Sequence, residues 1–239
     1  MLHGRVARSA QGLKEISVSN RSPVCAAVAA CVLPCAGVLA DVSIGTTSNF
    51  NNNDIQGWTN GQVADPVIQL GGPAGPTDPF LRVTSDGSGS GGKLTVFNNN
   101  AEWTGLWVSG GITRVEMDFR NFDPQGRTLS MRMGFLASAG PGQPGWCTSA
   151  FSLPADGQWH HAVFTISEAA MTRVGNALDW ETVMQLSTQI RIFHSVNPST
   201  VGTNFASSVG IDNIVALPAP GAGALLALAG VAAGRRKRP

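Results

Sequence analysis

Tyrosine is absent from this 239-residue chain, charged residues make up only 13%, and the four cysteines cannot form a disulfide framework. Cys25, Cys31 and Cys35 all fall in one apolar stretch near the start, which leaves Cys147 alone in the remainder and the core without a bridge to support it. A lone thiol of this kind is normally buried. Repeats at solenoid spacing are missing too. Basic charge is nearly missing from the middle of the chain. Arg5, Arg8, Lys14 and Arg21 precede residue 41, and Arg235, Arg236, Lys237 and Arg238 follow residue 234. Setting aside those eight of the sixteen basic residues, and Glu15 of the fifteen acidic ones, leaves residues 41–217 with a net charge of −6. A surface of that sign repels polyphosphate, so nucleic acid is excluded as a partner.

The ends read as processing segments. A basic stretch up to Arg21 leads into an apolar run from Val24 to Leu39, and Val38-Leu39-Ala40 places modest or small residues where a signal peptidase wants them. Cleavage after Ala40 makes Asp41 the first mature residue. Pro23, Pro34 and the lack of a polar face argue against an ordinary buried helix. Lipidation at Cys35 is the lesser reading, because Pro34 stands where a small residue is needed. At the other end Pro218-Ala219-Pro220 precedes a charge-free run from Gly221 to Ala233, and Arg235-Arg236-Lys237-Arg238 closes the chain. As a helix that run rises only ~20 Å, short of the ~30 Å hydrocarbon layer. It suits a transient stop with its basic flank held inside better than a permanent anchor.

These three parts in this order resemble a PEP-CTERM sorting signal, the tail read by exosortases in exopolysaccharide-producing bacteria, here in a Pro-Ala-Pro form with Ala219 in place of glutamate. The resemblance covers the last twenty-three residues or so. It implies an exported protein, transiently membrane-held through a C-terminal hydrophobic helix, with an exosortase-type enzyme as partner.

Between the ends, apolar residues alternate. Val115, Met117 and Phe119 interleave with Arg114, Glu116, Asp118 and Arg120; Leu129, Met131, Met133 and Phe135 repeat the pattern. Period two means one face buried and one wet, so the fold class is all-β, an antiparallel jelly-roll-type sandwich over 41–217. Asp123-Pro124-Gln125-Gly126 supplies a turn that makes these two segments a hairpin. Further strands are expected at 67–70, 80–84, 93–97, 107–109, 151–153, 159–166, 189–194 and 209–217. Surface loops are expected at 71–79 and 139–145. Ser167 and Asp179 are N-caps for one or two short helices, with Met171, Val174, Leu178, Val183 and Leu186 facing the sheet. The segment Asp156-Gly157-Gln158-Trp159-His160-His161 resembles laminin-G-like sandwiches, while Gln56-Gly57-Trp58 and Gly210-Ile211-Asp212-Asn213-Ile214 are similar to the ends of laminin-B-like and carbohydrate-binding jelly rolls.

Catalytic signatures are scarce. Gly87-Ser88-Gly89-Ser90-Gly91 lacks the strand that would make it a nucleophile elbow. His160 and His161 are adjacent and point to opposite faces, His194 has no acidic neighbour in sequence, and no spacing suggests a zinc site. Glu116 and Asp118 share one wet face as a glycosidase pair would, with Arg114 and Arg120 flanking them, so a secreted glycan-active enzyme is the alternative. The laminin-G-like resemblance implies a structural role for His160; no cofactor is expected and no metal ligand is assigned, a structural calcium near Asp212 being the alternative that similar jelly rolls imply. Trp103, Trp107 and Trp146, near polar or glycine-rich loops, are candidates for stacking on sugars, against core burial as the plainer reading. The favoured reading is a non-catalytic sandwich for adhesion or glycan binding, exopolysaccharide included.

Overall fold

In the computed structural model the described residues are 41–60, 65–89, 92–137 and 143–221. Ala40 and the basic tail from Arg235 to Arg238 lie outside them. The strands are β1 (Thr47–Ser48), β2 (Val67–Leu70), β3 (Pro79–Asp86), β4 (Thr95–Asn98), β5 (Arg114–Asn121) and β6 (Leu129–Leu136), followed by β7 (Gly145–Thr148), β8 (Phe151–Leu153), β9 (Trp159–Thr165), β10 (Met171–Val174), β11 (Gln189–His194) and β12 (Ala206–Leu217). One α-helix, α1 (Trp180–Gln185), precedes β11. No helix among the described residues is long and apolar enough to cross a membrane.

The strands form two antiparallel sheets. The first runs β2-β3-β12-β5-β9, with β1 also on β12, and the second runs β10-β7-β6-β11-β4, with β8 also on β6. The inward residues of β5 and β6, from Val115 to Phe119 and from Leu129 to Phe135, meet in one core with Trp58, Trp103, Trp107, Ile190 and Ile192. The chain changes sheet after β3, β4, β5, β8, β9 and β11.

That crossing overturns the expected hairpin. The turn at Asp123 does form, its carbonyl accepting from Gly126 N–H at 3.1 Å, yet it carries the chain from one sheet to the other. Alternation tells which side of a strand is buried, and two strands facing each other across a core satisfy it as well as two neighbours in a sheet. The strand expected at 107–109 is a turn instead, closed by Gly110 N–H on Leu106 carbonyl at 2.9 Å. Glycines 105, 110 and 111 around it favour bending over pairing. Ser167 makes no cap; a 3₁₀ turn follows it, and Met171 and Val174 then belong to β10. Asp179 does cap α1, accepting from Thr182 N–H. Val183 is buried, but Leu178 and Leu186 are exposed, because six residues make too short a helix to turn both against the sheet. Strands β1, β7 and β10 are additions; β7 is buried throughout and so lacks the alternation that marks a half-wet strand.

On the second sheet the outer face is closed by the chain itself. Arg132 donates to the carbonyls of Ser195, Val196 and Thr148 at 2.7–3.0 Å, and Arg191 donates to Thr200 carbonyl at 3.0 Å and to Gln143. Both are buried beneath the 195–200 segment. Burial lowers the Arg191 pKa to about 10. Cys147 lies on the same strand layer, fully buried, its thiol pKa raised by desolvation. The open face is that of the first sheet.

Candidate binding face of the first sheet

Strand register lines up the outer face. Val67, Arg82, Gly210, Arg120 and Trp159 form one row across five strands, and Asp212, Asp118 and His161 form the next. Gly210 has no side chain, and three rings close over it: a Cβ there would stand 2.9 Å from Trp159 Cη2 and 3.0 Å from both Phe122 Cε2 and Phe80 Cε2. Phe80 and Phe122 stack with centroids 5.8 Å apart, and Trp159 meets Phe80 edge-on at 5.1 Å. Phe80 is buried beneath, while Phe122 and Trp159 stay half-buried. Trp159 is steadied by its Nε1–H donating to Gly71 carbonyl at 3.1 Å.

The guanidinium groups of Arg82 and Arg120 lie 4.8 and 5.0 Å from the centre of the Phe122 ring. Arg82 is aimed by two neutral acceptors, Ser208 Oγ at 2.8 Å and Gln69 Oε1 at 3.1 Å. Beside Phe122 runs a groove of about 290 Å³ lined by Arg82, Thr84, Gln125, Ser207 and Ser208 among others. It offers an aromatic wall with hydroxyls, an amide and a guanidinium around it. Nothing in the local sequence signals this arrangement, because its members come from four separate segments that only register brings together.

The carboxylates singled out by sequence do share the outer face. Glu116 is ion-paired to Arg114 at 2.6 Å. His161 stands opposite, its Nδ1 3.0 Å from Asp118 Oδ1 and its Nε2 3.4 Å from Glu116 Oε2. A bulge between Asp212 and Val215 puts Asn213 at φ 51°, and its Nδ2–H donates to Asp118 Oδ2 at 2.8 Å. Arg120 does not neutralise Asp118; it turns to Phe122. His160 lies on the other side of β9 and pairs with Asp156 at 2.9 Å. His194 is buried, its Nδ1 accepting from Ser130 N–H at 2.9 Å, and burial lowers its pKa.

Asp212 is 1% exposed, and its Oδ2 has no hydrogen-bond partner. Burial, with the charges of Asp78 and Asp118 adding to it, pushes its pKa up to about 7 against the opposing Asn213 N–H. Among the described residues no three His, Cys, Asp or Glu side chains converge as metal ligands, and Asp118 has both oxygens engaged.

Trp103 and Trp107, candidates for sugar stacking, are fully buried, and Trp146 is 8% exposed with its Nε1–H on Leu178 carbonyl. They are core residues. Burying a tryptophan removes so much apolar surface from water that a flanking glycine loop does not keep it outside. Pro218 is half-buried, and Ala219 and Pro220 are exposed directly after β12, whose last carbonyl, on Leu217, accepts from Thr113 N–H at 3.0 Å.

No family model and no curated protein matches this sequence. Among solved structures it is similar to a family 11 carbohydrate-binding module from Clostridium thermocellum in complex with a β-1,3-1,4-mixed-linked tetrasaccharide, at 13% identity and a TM-score of 0.44 over 74% of this chain and 98% of that one. It is also similar to a non-crystalline cellulose specific module, CBM28, at 14% identity and 0.45 over 75% and 93%. An exo-β-agarase matches at 12% identity and 0.49, over 72% of this chain and 25% of the other. Likenesses of this order go no further than the antiparallel two-sheet architecture described above.

Proposed function

We propose that this chain is an exported bacterial surface protein whose sandwich binds a glycan, without catalysis, on the outer face of the first sheet. The groove beside Phe122 carries the reading: a half-buried ring with hydroxyl, amide and guanidinium groups around it matches a sugar, which presents an apolar ring face and a rim of hydroxyls. Glycosidase chemistry is disfavoured by the state of the carboxylates. Glu116 and Asp118 are both tied into contacts with Arg114, His161 and Asn213, and the one carboxylate among the described residues with a pKa raised toward neutrality, Asp212, is too buried to reach a substrate oxygen. Sorting by an exosortase-type enzyme is supported by the exposure of Ala219 and Pro220 immediately beyond a pinned final strand, which leaves an accessible peptide for a processing enzyme. Transient membrane insertion, Ala40 cleavage and an exopolysaccharide partner complete the proposal.

Affinity electrophoresis of the secreted protein through gels loaded with different polysaccharides tests it. The wild type is expected to be retarded by at least one polymer, and Phe122→Ala to migrate freely with its circular dichroism unchanged. Free migration of the wild type on every polymer, or full retardation of Phe122→Ala, overturns the assignment of this face.

A further inference from the structure

Cations are scarce in a segment of net charge −6, and most of them are committed. Arg114 pairs with Glu116 and Arg127 with Asp123; Arg132 and Arg191 are buried on carbonyls of the other sheet; Arg173 donates to Ala177 carbonyl. Among the described residues Lys93, Arg82 and Arg120 have no such partner, and of these Arg82 and Arg120 stand together on the outer face. Both are half-buried, and neither has a carboxylate within ion-pair reach among the described residues. Register sets them on either side of Gly210, roughly 10 Å apart at the backbone, and both side chains lean to the same ring. Arg82 keeps its orientation through Ser208 and Gln69, which aim it without cancelling its charge. Arg120 makes no hydrogen bond among the described residues, and its Nε is buried and unpartnered.

We infer that this face takes an anionic saccharide, its carboxylate or sulfate drawn to Arg82, which lines the groove, and to Arg120, which reaches the same Phe122 ring from the neighbouring strand. This rests on the glycan-binding reading and names the ligand class for the same groove. Two like charges drawn to one half-buried ring repel each other, and a bound anion reduces that cost while meeting open guanidinium donors. The planar fork of arginine suits the paired oxygens of a carboxylate or sulfate. A neutral sugar leaves the repulsion in place. An inorganic anion leaves the ring and the Gln125 amide of the groove unused.

The test uses the secreted full-length protein and isothermal titration against a polyuronate, a neutral β-glucan, polyglutamate and inorganic sulfate. The polyuronate is expected to bind, at least tenfold tighter than the glucan, with affinity falling as salt is raised. Arg120→Gln is expected to lower polyuronate affinity about tenfold or more and to change glucan affinity much less. Arg82→Gln serves as the second variant if Arg120→Gln loses its near-ultraviolet dichroism. Equal binding of glucan and polyuronate, untouched by either variant, refutes the anionic inference while the glycan reading stands. Polyglutamate binding as tightly as polyuronate, or sulfate competing at equal concentration, also refutes it by showing simple charge attraction. Binding of none of the polysaccharides refutes both.

Discussion

Trp159 closes over Gly210 at 2.9 Å from the place a Cβ would occupy, so the binding face is built around a missing side chain. The rings of Phe80 and Phe122 share that space, and the groove wall depends on it.

Gly210→Ala is therefore expected to destabilise the protein by about 1–3 kcal/mol, since the rings must shift to admit a methyl group. It should also weaken glycan binding by displacing Phe122. Denaturant unfolding and titration read the two effects. Unchanged stability together with unchanged binding would show that the face does not depend on this packing.

Ser48 accepts two indole donors, from Trp58 Nε1 and Trp103 Nε1, each at 3.0 Å and all fully buried. Removing its hydroxyl leaves two buried N–H groups without acceptors, at about 1–3 kcal/mol each at most. Ser48→Ala is expected to lower unfolding stability by roughly 2–4 kcal/mol. A loss below about 0.5 kcal/mol, the usual effect of an inconsequential substitution, would contradict the shared acceptor.

Asp212 carries a folded-state pKa of about 7 against an unfolded value of 3.8. The folded state binds the extra proton between those values, so this group makes stability fall as pH rises from about 4 to 7 and then level off. Asp212→Asn is expected to stabilise the protein at pH 8 by up to about 4 kcal/mol and to have little effect near pH 4. Comparing variant with wild type at each pH cancels His194, whose lowered pKa acts in the opposite direction. A gain that is the same at both pH values would rule out titration of Asp212. A wild-type melting temperature that rises with added calcium only at pH 8 would show a cation meeting this charge.

The tail gives a prediction in cells. Replacing Arg235, Arg236, Lys237 and Arg238 with glutamate removes the inside-positive hold. This variant is expected to leave the cell at unprocessed length, whereas the wild type loses its tail near Pro220. Mass spectrometry showing the intact tail on wild-type surface protein would replace sorting with simple anchoring.

Much of the fold was legible in the order of residues. Alternation about Val115 and Met131 marked β5 and β6 because burial on one side of a pleated strand writes itself into every second residue. Asp179 was readable as a cap because its carboxylate meets an N–H three residues on. Such signals are local. The partners of β5 were not legible: it lies between β12 and β9, about ninety and forty residues downstream. Core burial was the plainer reading for Trp103 and Trp107 and holds, but the residues they pack against across the sandwich were not legible.

By itself, then, the amino-acid order settled the all-β class, the strand periodicity, the charge of the central segment and which carboxylates share a wet face. Tertiary structure alone decided that Arg82, Gly210, Arg120 and Trp159 form one row, that Phe122 is the ring both arginines approach, and that Asp212 is sealed from water. The physical reason is that periodicity fixes which way a side chain points from its own strand, while its neighbours across the sheet are set by hydrogen-bond register between segments far apart in the chain.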